Sequence, residues 1–334
     1  MSLRSALSGI DGLRFLTPSE REEQIVSTGF EAKSVEASNV EGSEFRILDV
    51  PLIEESAFTH FLDGAQRSWQ ILYHRLSPVY VAHTSAAVLE RVDGELQPPT
   101  DSTYRGGLEA FVPDDPALGD ALRPHVPVVP VPIKDTHPGG LDEVVRKAIS
   151  DRRDDLERDL AQRFGCLQPQ PPQTRPSREN GGGGRLLIDG GLGNALRHQG
   201  EQPFVIGVVK SHRKQYFRSA KRTDAILGMK PGQRSTVFER PADAEQGESV
   251  CSFYLRLRES DSSGPLFGLV RVEMPSDEAY LAEADVIAGW ILHERAPLSL
   301  PDPRFDKLLY PIRLVEQHLK ARQPSTAAIL GLIG

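Results

Sequence analysis

Between Leu141 and Gly165 the apolar residues Leu141, Val144, Val145, Ala148, Ile149, Leu156, Leu160, Ala161 and Phe164 return at intervals of three and four. That period predicts a long α-helix with one apolar face, stopped by Gly165. Such a stripe must lie against a partner. Strand-like runs flank it on both sides: FTHFLD, SWQILYHRL and PVYVAHTSAAVLERV before it, RLLIDGG and QPFVIGVVKS after it. Further on, SVCSFYLRLRES and GPLFGLVRVEMP read as an antiparallel pair joined by ESDSSGPL. DEAYLAEADVIAGWILHER reads as one helix with a broad apolar face, and PIRLVEQHLKAR as a closing helix with Pro311 in its first turn. The expected class is α/β, a mixed sheet covered by helices. The Pro-, Gln- and Gly-rich stretch at about 167–184 reads as an exposed connection, and no internal repeat is present.

Two apolar runs end in the same dipeptide. AFTHFLDGAQ carries Asp63-Gly64, and LLIDGGLG carries Asp189-Gly190. Asp-Gly is first of all a hairpin turn signal. Asp93-Gly94 in LERVDGELQ, between two extended pieces, is read as that turn, and Asp11-Gly12 as a turn or cap. At Asp63 and Asp189 two readings stay open: a turn, or a carboxylate delivered by a strand end to the rim of the sheet. The familiar fingerprints fail. There is no GxxxxGK[ST], no HExxH and no GxSxG, and the run GGGGRLLIDGGLG has its glycines ahead of the strand. What remains is a dispersed acid set. Asp63 and Asp189 from strands, with Glu157 from the helix, can converge on a hard divalent cation such as Mg²⁺ or Mn²⁺. His318, in LVEQHLKAR, offers a nitrogen ligand or a proton-transfer group, and nitrogen ligation favours Mn²⁺. The same helix carries Asp151, Asp154, Asp155 and Asp159, most of which must be plain surface residues.

Composition narrows the partners. The 334 residues carry a formal charge of −8, which argues against coating nucleic acid non-specifically. Against that background KSHRKQYFRSAKR (210–222) has no acid at all, and Lys210, Arg213, Lys214 and Arg218 form a local basic patch around Tyr216 and Phe217. It reads either as a phosphate-contacting surface with aromatic rings for base stacking or as an ordinary solvated face. Two distant cysteines, Cys166 and Cys251, exclude a disulfide framework and fit a reducing, cytoplasmic setting. No apolar run is long enough to span a bilayer, and no secretory leader is recognisable.

The order of these motifs resembles the NurA-domain nucleases, prokaryotic DNA-end-processing enzymes that work with the HerA-type hexameric ATPase. The likeness runs through FLDGAQ, RRDDLERDLA, LLIDGGLG, VIGVVKSHRKQYF, FYLRL, RVEMP and LLYPIRLVEQHLKAR, most of the chain. Its most specific piece is the ending, where Tyr310, followed by proline, precedes His318 by eight residues. The resemblance implies an RNase H-like mixed sheet flanked by helices, with additional strands and helices, in a nuclease domain at 51–334 behind an N-terminal extension at 1–50. It implies Asp63, Glu157, Asp189 and His318 around manganese, with Tyr310 in the same site. It further implies cleavage of single-stranded DNA, 5′→3′ exonuclease activity in end resection, a HerA-type ATPase as partner, and a homodimer. Two departures stand out: Ala65 and Gly191 occupy positions where the family usually has serine. The long insertion loosens the assignment of Glu157, with Glu90 in AAVLERV as the weaker substitute. A reading from another class is a non-catalytic DNA-clamping or docking subunit of an ATPase complex, in repair or in defence against foreign DNA.

Overall fold

The computed structural model describes residues 36–113, 115–133, 137–167, 184–192, 204–212, 214–240, 249–259, 265–296 and 305–333, with short pieces at 3, 7, 9–10, 12–15 and 33–34. The strands are β1 (Leu13–Phe15), β2 (Lys33–Ser34), β3 (Ser38–Asn39), β4 (Ile47–Asp49), β5 (His60–His74), β6 (Ser77–Val92), β7 (Glu95–Gln97) and β8 (Tyr104–Pro113). They continue with β9 (Val128–Val131), β10 (Arg185–Asp189), β11 (Phe204–Val209), β12 (Lys214–Gln215), β13 (Gln233–Ser235), β14 (Phe238–Arg240), β15 (Val250–Arg256) and β16 (Leu269–Pro275). The helices are α1 (Pro116–Leu122), α2 (Leu141–Leu167), α3 (Ala220–Leu227), α4 (Glu278–Ala282), α5 (Ala284–His293), α6 (Tyr310–Ala321) and α7 (Thr326–Ile333).

One mixed sheet runs β3-β14-β15-β16-β11-β10-β5-β6-β8-β9, with β1, β4, β7 and β13 paired alongside. The α/β class with flanking helices is therefore as the sequence predicts. At the centre β10 lies parallel to both β11 and β5, while β6 and β16 run antiparallel to their neighbours. Asp93-Gly94 makes the β6–β7 turn with both residues at positive φ (51° and 83°), the pair a tight hairpin requires. β15 and β16 pair antiparallel over their whole length.

Side chains alternate across β5, and the two faces bury different helices. Phe61, Ala65, Ala87, Leu89, Leu187 and Val208 meet Ile287 and Ile291 of α5 and Ile312, Val315 and Leu319 of α6. Leu62, Val88, Leu186 and Ile188 on the other face meet Leu156, Leu160, Ala161 and Phe164 of α2. Each large apolar side chain taken from water stabilises by roughly 1.5–3 kcal/mol, so the stripe on α2 is held by that face. The far half of the β5–β6 hairpin has its own core, with Trp69, Ile71, Val79 and Val81 under Leu118 and Leu122 of α1 and Ile329 of α7.

Several sequence expectations are corrected. FLDGAQ does not end a strand: Asp63 is the fourth residue of β5, which continues to His74 because β6 pairs with it throughout. The long helix passes Gly165 and ends at Leu167. The single helix expected after Pro275 is two, α4 and α5, meeting at Glu283. Within the first 50 residues β1, β3 and β4 add strands to the main sheet instead of standing apart from it. Residues 168–183 of the insertion lie outside those described. Among the described residues no helix is long and apolar enough to cross a membrane.

Candidate functional site

β10 is five residues long and stops at Asp189, whereas β5 goes on. The parallel register sets Leu186, Leu187 and Ile188 beside His60, Phe61 and Leu62, so the next rung pairs Asp189 with Asp63. Both carboxylates share the face of Phe61 and Leu187, the face covered by α5 and α6. Lys210, just beyond β11, donates from Nζ to Asp189 Oδ2 at 2.8 Å.

Glu157 arrives from the opposite face on α2. A Cβ on Gly64 would stand 1.9 Å from Glu157 Oε1, so the missing side chain is what admits this carboxylate to the strand. Gly64 also donates its N–H to Asp63 Oδ1 at 2.8 Å. The glycine of FLDG thus serves neither a turn nor a positive φ; it opens the sheet beside Asp63. Arg153, one turn earlier on α2, lies with Nε 3.3 Å from Glu157 Oε1.

The electrostatics follow from this crowding. Burial, then the charge of Asp189, push Asp63 well above the usual carboxylate range; Lys210 opposes them and Glu157 adds to them. Glu157 is raised to about 8, chiefly by burial, which outweighs the attraction of Arg153, with Asp154 and Asp189 pushing the same way. Both shifts report an excess of negative charge shielded from water.

Glu273, on β16, organises the turn after Asp189. Its Oε2 accepts from Leu192 N at 2.6 Å, and a Cβ on Gly191 would stand 3.0 Å from that oxygen. Gly191, without a side chain, leaves room for this carboxylate. Gly207 on β11 does the same for Gly190, whose carbonyl oxygen would be 2.5 Å from an added Cβ. Glu273 is itself 2 % exposed and held between Arg271 and Arg240, the latter with Nε at 3.5 Å from Oε1. A glutamate two residues after Arg271 in an otherwise apolar strand gives little sequence signal of such a role. The Arg153–Glu157 spacing, four apart on a helix, was legible.

The remaining expected residues are placed less centrally. His318 lies on α6, over the same face as Asp63, but its charged neighbour is Arg322 and its Nε2 has no partner. Tyr310 opens the same helix, 46 % exposed. Eight residues of helix separate the two by about 12 Å along the axis. Glu90 faces His60, 3.8 Å away, and is not among the groups acting on Asp63. In the basic segment Tyr216 and Phe217 are buried at 2 % and 1 %. Tyr216 packs beneath Arg271 and against Phe238, so neither ring is open to a base. Arg218 is exposed, Arg213 lies outside the described residues, and of Lys214 only the backbone is described.

A cofactor fit can be judged from the donors. Three carboxylates with a net negative field suit a hard divalent cation. Among the described residues, however, no group of three His, Cys, Asp or Glu side chains is gathered as a metal would hold it. Lys210 and Arg153 carry the counter-charge of Asp189 and Glu157. Cation binding therefore requires these side chains to turn, with Lys210 leaving Asp189. No protein-family model matches this chain and no curated protein matches it, so its function is read from this geometry.

Proposed function

We propose that this chain is a metal-dependent DNA nuclease on an RNase H-like core, with Asp63, Glu157 and Asp189 holding Mn²⁺, or Mg²⁺ in its place. The observation that carries the reading is that Asp63 on β5 lies within electrostatic reach of Asp189 on β10 and Glu157 on α2: Asp63 is raised by burial, Asp189 and Glu157, and Glu157 by burial, Asp154 and Asp189. Clustered acids with strongly perturbed pKa values, in excess over nearby cations, characterise functional sites more than structural ones.

A divalent cation, when bound, supplies Lewis-acid polarisation of a phosphate oxygen and a more acidic water. The chain's own groups do the rest. Asp63 and Asp189 approach from one face and Glu157 through the opening at Gly64. Lys210, released from Asp189, steadies a phosphate oxygen. His318 has a pKa lowered by burial and by Arg322, and its Nε2 has no hydrogen-bond partner among the described residues, which suits either the nitrogen-ligand or the proton-transfer role. The same reading takes single-stranded DNA or duplex ends as substrate, in end resection, with a HerA-type ATPase as partner and a homodimer as the working form.

One observation favours the alternative of a non-catalytic clamping or docking subunit: Lys210 and Arg153 already pair with Asp189 and Glu157. Calorimetric titration with Mn²⁺ followed by digestion of end-labelled single-stranded DNA separates the two. The nuclease reading expects binding and Mn²⁺-dependent cleavage in the native protein, and neither in Asp189→Ala. A native protein that binds no Mn²⁺ and leaves the strand intact would sink it.

A further inference from the structure

Past Lys210 the sign of the charge reverses. Lys307, in the short 3₁₀ turn Phe305–Lys307, donates from Nζ to the carbonyl oxygen of Lys210 at 3.3 Å. His212 donates from Nε2 to Leu269 O at 2.9 Å. Arg295, exposed just after α5, donates from Nε to Leu292 O at 2.7 Å and from Nη1 to Leu257 O at 2.8 Å. Arg258, just after β15, donates from Nη2 to Ala296 O, while its Nε has no partner. Behind them Arg256 is buried and bound to the carbonyl oxygens of Met229, Leu227, Pro265 and Phe267.

The hydrogen bonds of Lys307, Arg295, Arg258 and Arg256 therefore run to main-chain carbonyls, which orient these cations without neutralising them. Among the described residues Asp306 is the acid whose charge reaches Arg258 and Lys307, and its Oδ2 accepts from Gly268 N at 2.8 Å. Repulsion is felt across the group: Lys307 is lowered by burial and by Arg256, and Arg258 by burial and by Arg295. His212 goes down to about 4, first through burial, with Lys307, Arg271 and Arg256 acting in the same direction. Purely structural arginines and lysines are ordinarily matched with carboxylates. Several half-exposed cations fixed by carbonyls, with donors to spare, are instead complementary to an anion rich in oxygen acceptors.

We infer that Arg258, Arg295 and Lys307 form an anion subsite that receives a phosphodiester of the nucleic-acid strand entering or leaving the carboxylate site. The placement supports this role: Lys307 touches the backbone of the residue whose side chain holds Asp189, so the basic subsite begins one residue from the acidic one. The identity of the strand rests on the nuclease reading; the anion-binding chemistry does not.

The test is fluorescence anisotropy of a labelled single-stranded oligothymidylate, in EDTA so that cleavage cannot intervene, across a range of salt. For the double variant Arg295→Gln with Lys307→Gln, affinity is expected to fall about tenfold. Its log–log salt slope should become shallower by about 1.4, for two lost phosphate contacts on a single strand. Thermal unfolding checks that the variant is folded; should it not be, exposed Arg295→Gln alone is expected to flatten the slope by about 0.7. Folded variants with the native affinity and slope overturn the inference, as does a native protein that does not bind the oligonucleotide. Binding through these residues without any Mn²⁺-dependent cleavage would overturn the nuclease reading and leave the subsite standing.

Discussion

Two carboxylate centres lie on either side of the turn after Asp189, both raised by burial yet shifted in opposite directions in the end. Glu273 is one acid between two arginines, with Leu192 N as a further donor. Burial pushes it up, yet Arg271 and Arg240 prevail and hold it below the usual carboxylate range. Asp63 is likewise almost enclosed, but it faces Asp189 and Glu157, against which Lys210 and the Gly64 N–H do not prevail, and it is held well above that range. Dehydration is common to both. The count of opposing charges decides the sign: one centre is satisfied and holds the turn in place, while the other is left short of positive charge.

The largest expected effect lies on the satisfied side. Glu273→Ala removes the acid from between two buried arginines and the acceptor from Leu192 N. A loss of about 3–5 kcal/mol in chemical denaturation is expected. Near-native stability would mean that the network is not a stabilising one, and the contrast with Asp63 would vanish.

Asp63→Asn should act with the opposite sign. It relieves repulsion with Asp189 and Glu157, so stability at neutral pH should rise by about 1–2 kcal/mol while Mn²⁺-dependent cleavage disappears. A destabilised Asp63→Asn protein would place both centres in one class.

The pH profiles sharpen the same distinction. Glu157 has a raised pKa, so the folded state keeps a proton that the unfolded chain has released. Stability is therefore lost as pH rises from the unfolded value of 4.5 through about 8. Glu273 has a lowered pKa, so its contribution is present above 4.5 and is lost as pH falls below it. Thermal unfolding of Glu157→Gln across this span should show a weaker decline toward pH 8 with the acid limb unchanged. An identical decline would remove Glu157 as its source.

Gly64→Ala should lower stability by about 1 kcal/mol, since Cγ, Cδ and the Oε1 tip of Glu157 all lie within 3.0 Å of the added Cβ and the side chain must shift. Because that tip is a proposed ligand, Mn²⁺ affinity measured by calorimetry should still fall about tenfold. Native affinity would show that Glu157 takes no part in holding the ion.

Much of the architecture was legible because it rests on local periodicity. The stripe on α2, the Asp93-Gly94 turn, the β15–β16 pair and Pro311 in the first turn of α6 all appear where the patterns place them. Patterns failed where a partner elsewhere in the chain overrode a local signal. Asp63-Gly64 has the form of a turn, but continuous pairing with β6 carries β5 through it. KSHRKQYFRSAKR has the composition of a surface, yet Phe238 and Tyr254 draw its two aromatic rings into a core. The cations of the proposed anion subsite come from three separate segments, each too brief to stand out in the chain.

The amino-acid sequence by itself determined the kind of elements, because the three- and two-residue periods of apolar side chains are properties of short stretches. It also singled out the acids of the candidate site, since Asp63, Glu157 and Asp189 are legible one by one. Their proximity was decided only by the tertiary structure, through the parallel register of β5 with β10 and the gap that Gly64 leaves for α2. The sign of each carboxylate's shift was decided there too, because electrostatic energy depends on distance and enclosure in space rather than on separation along the chain.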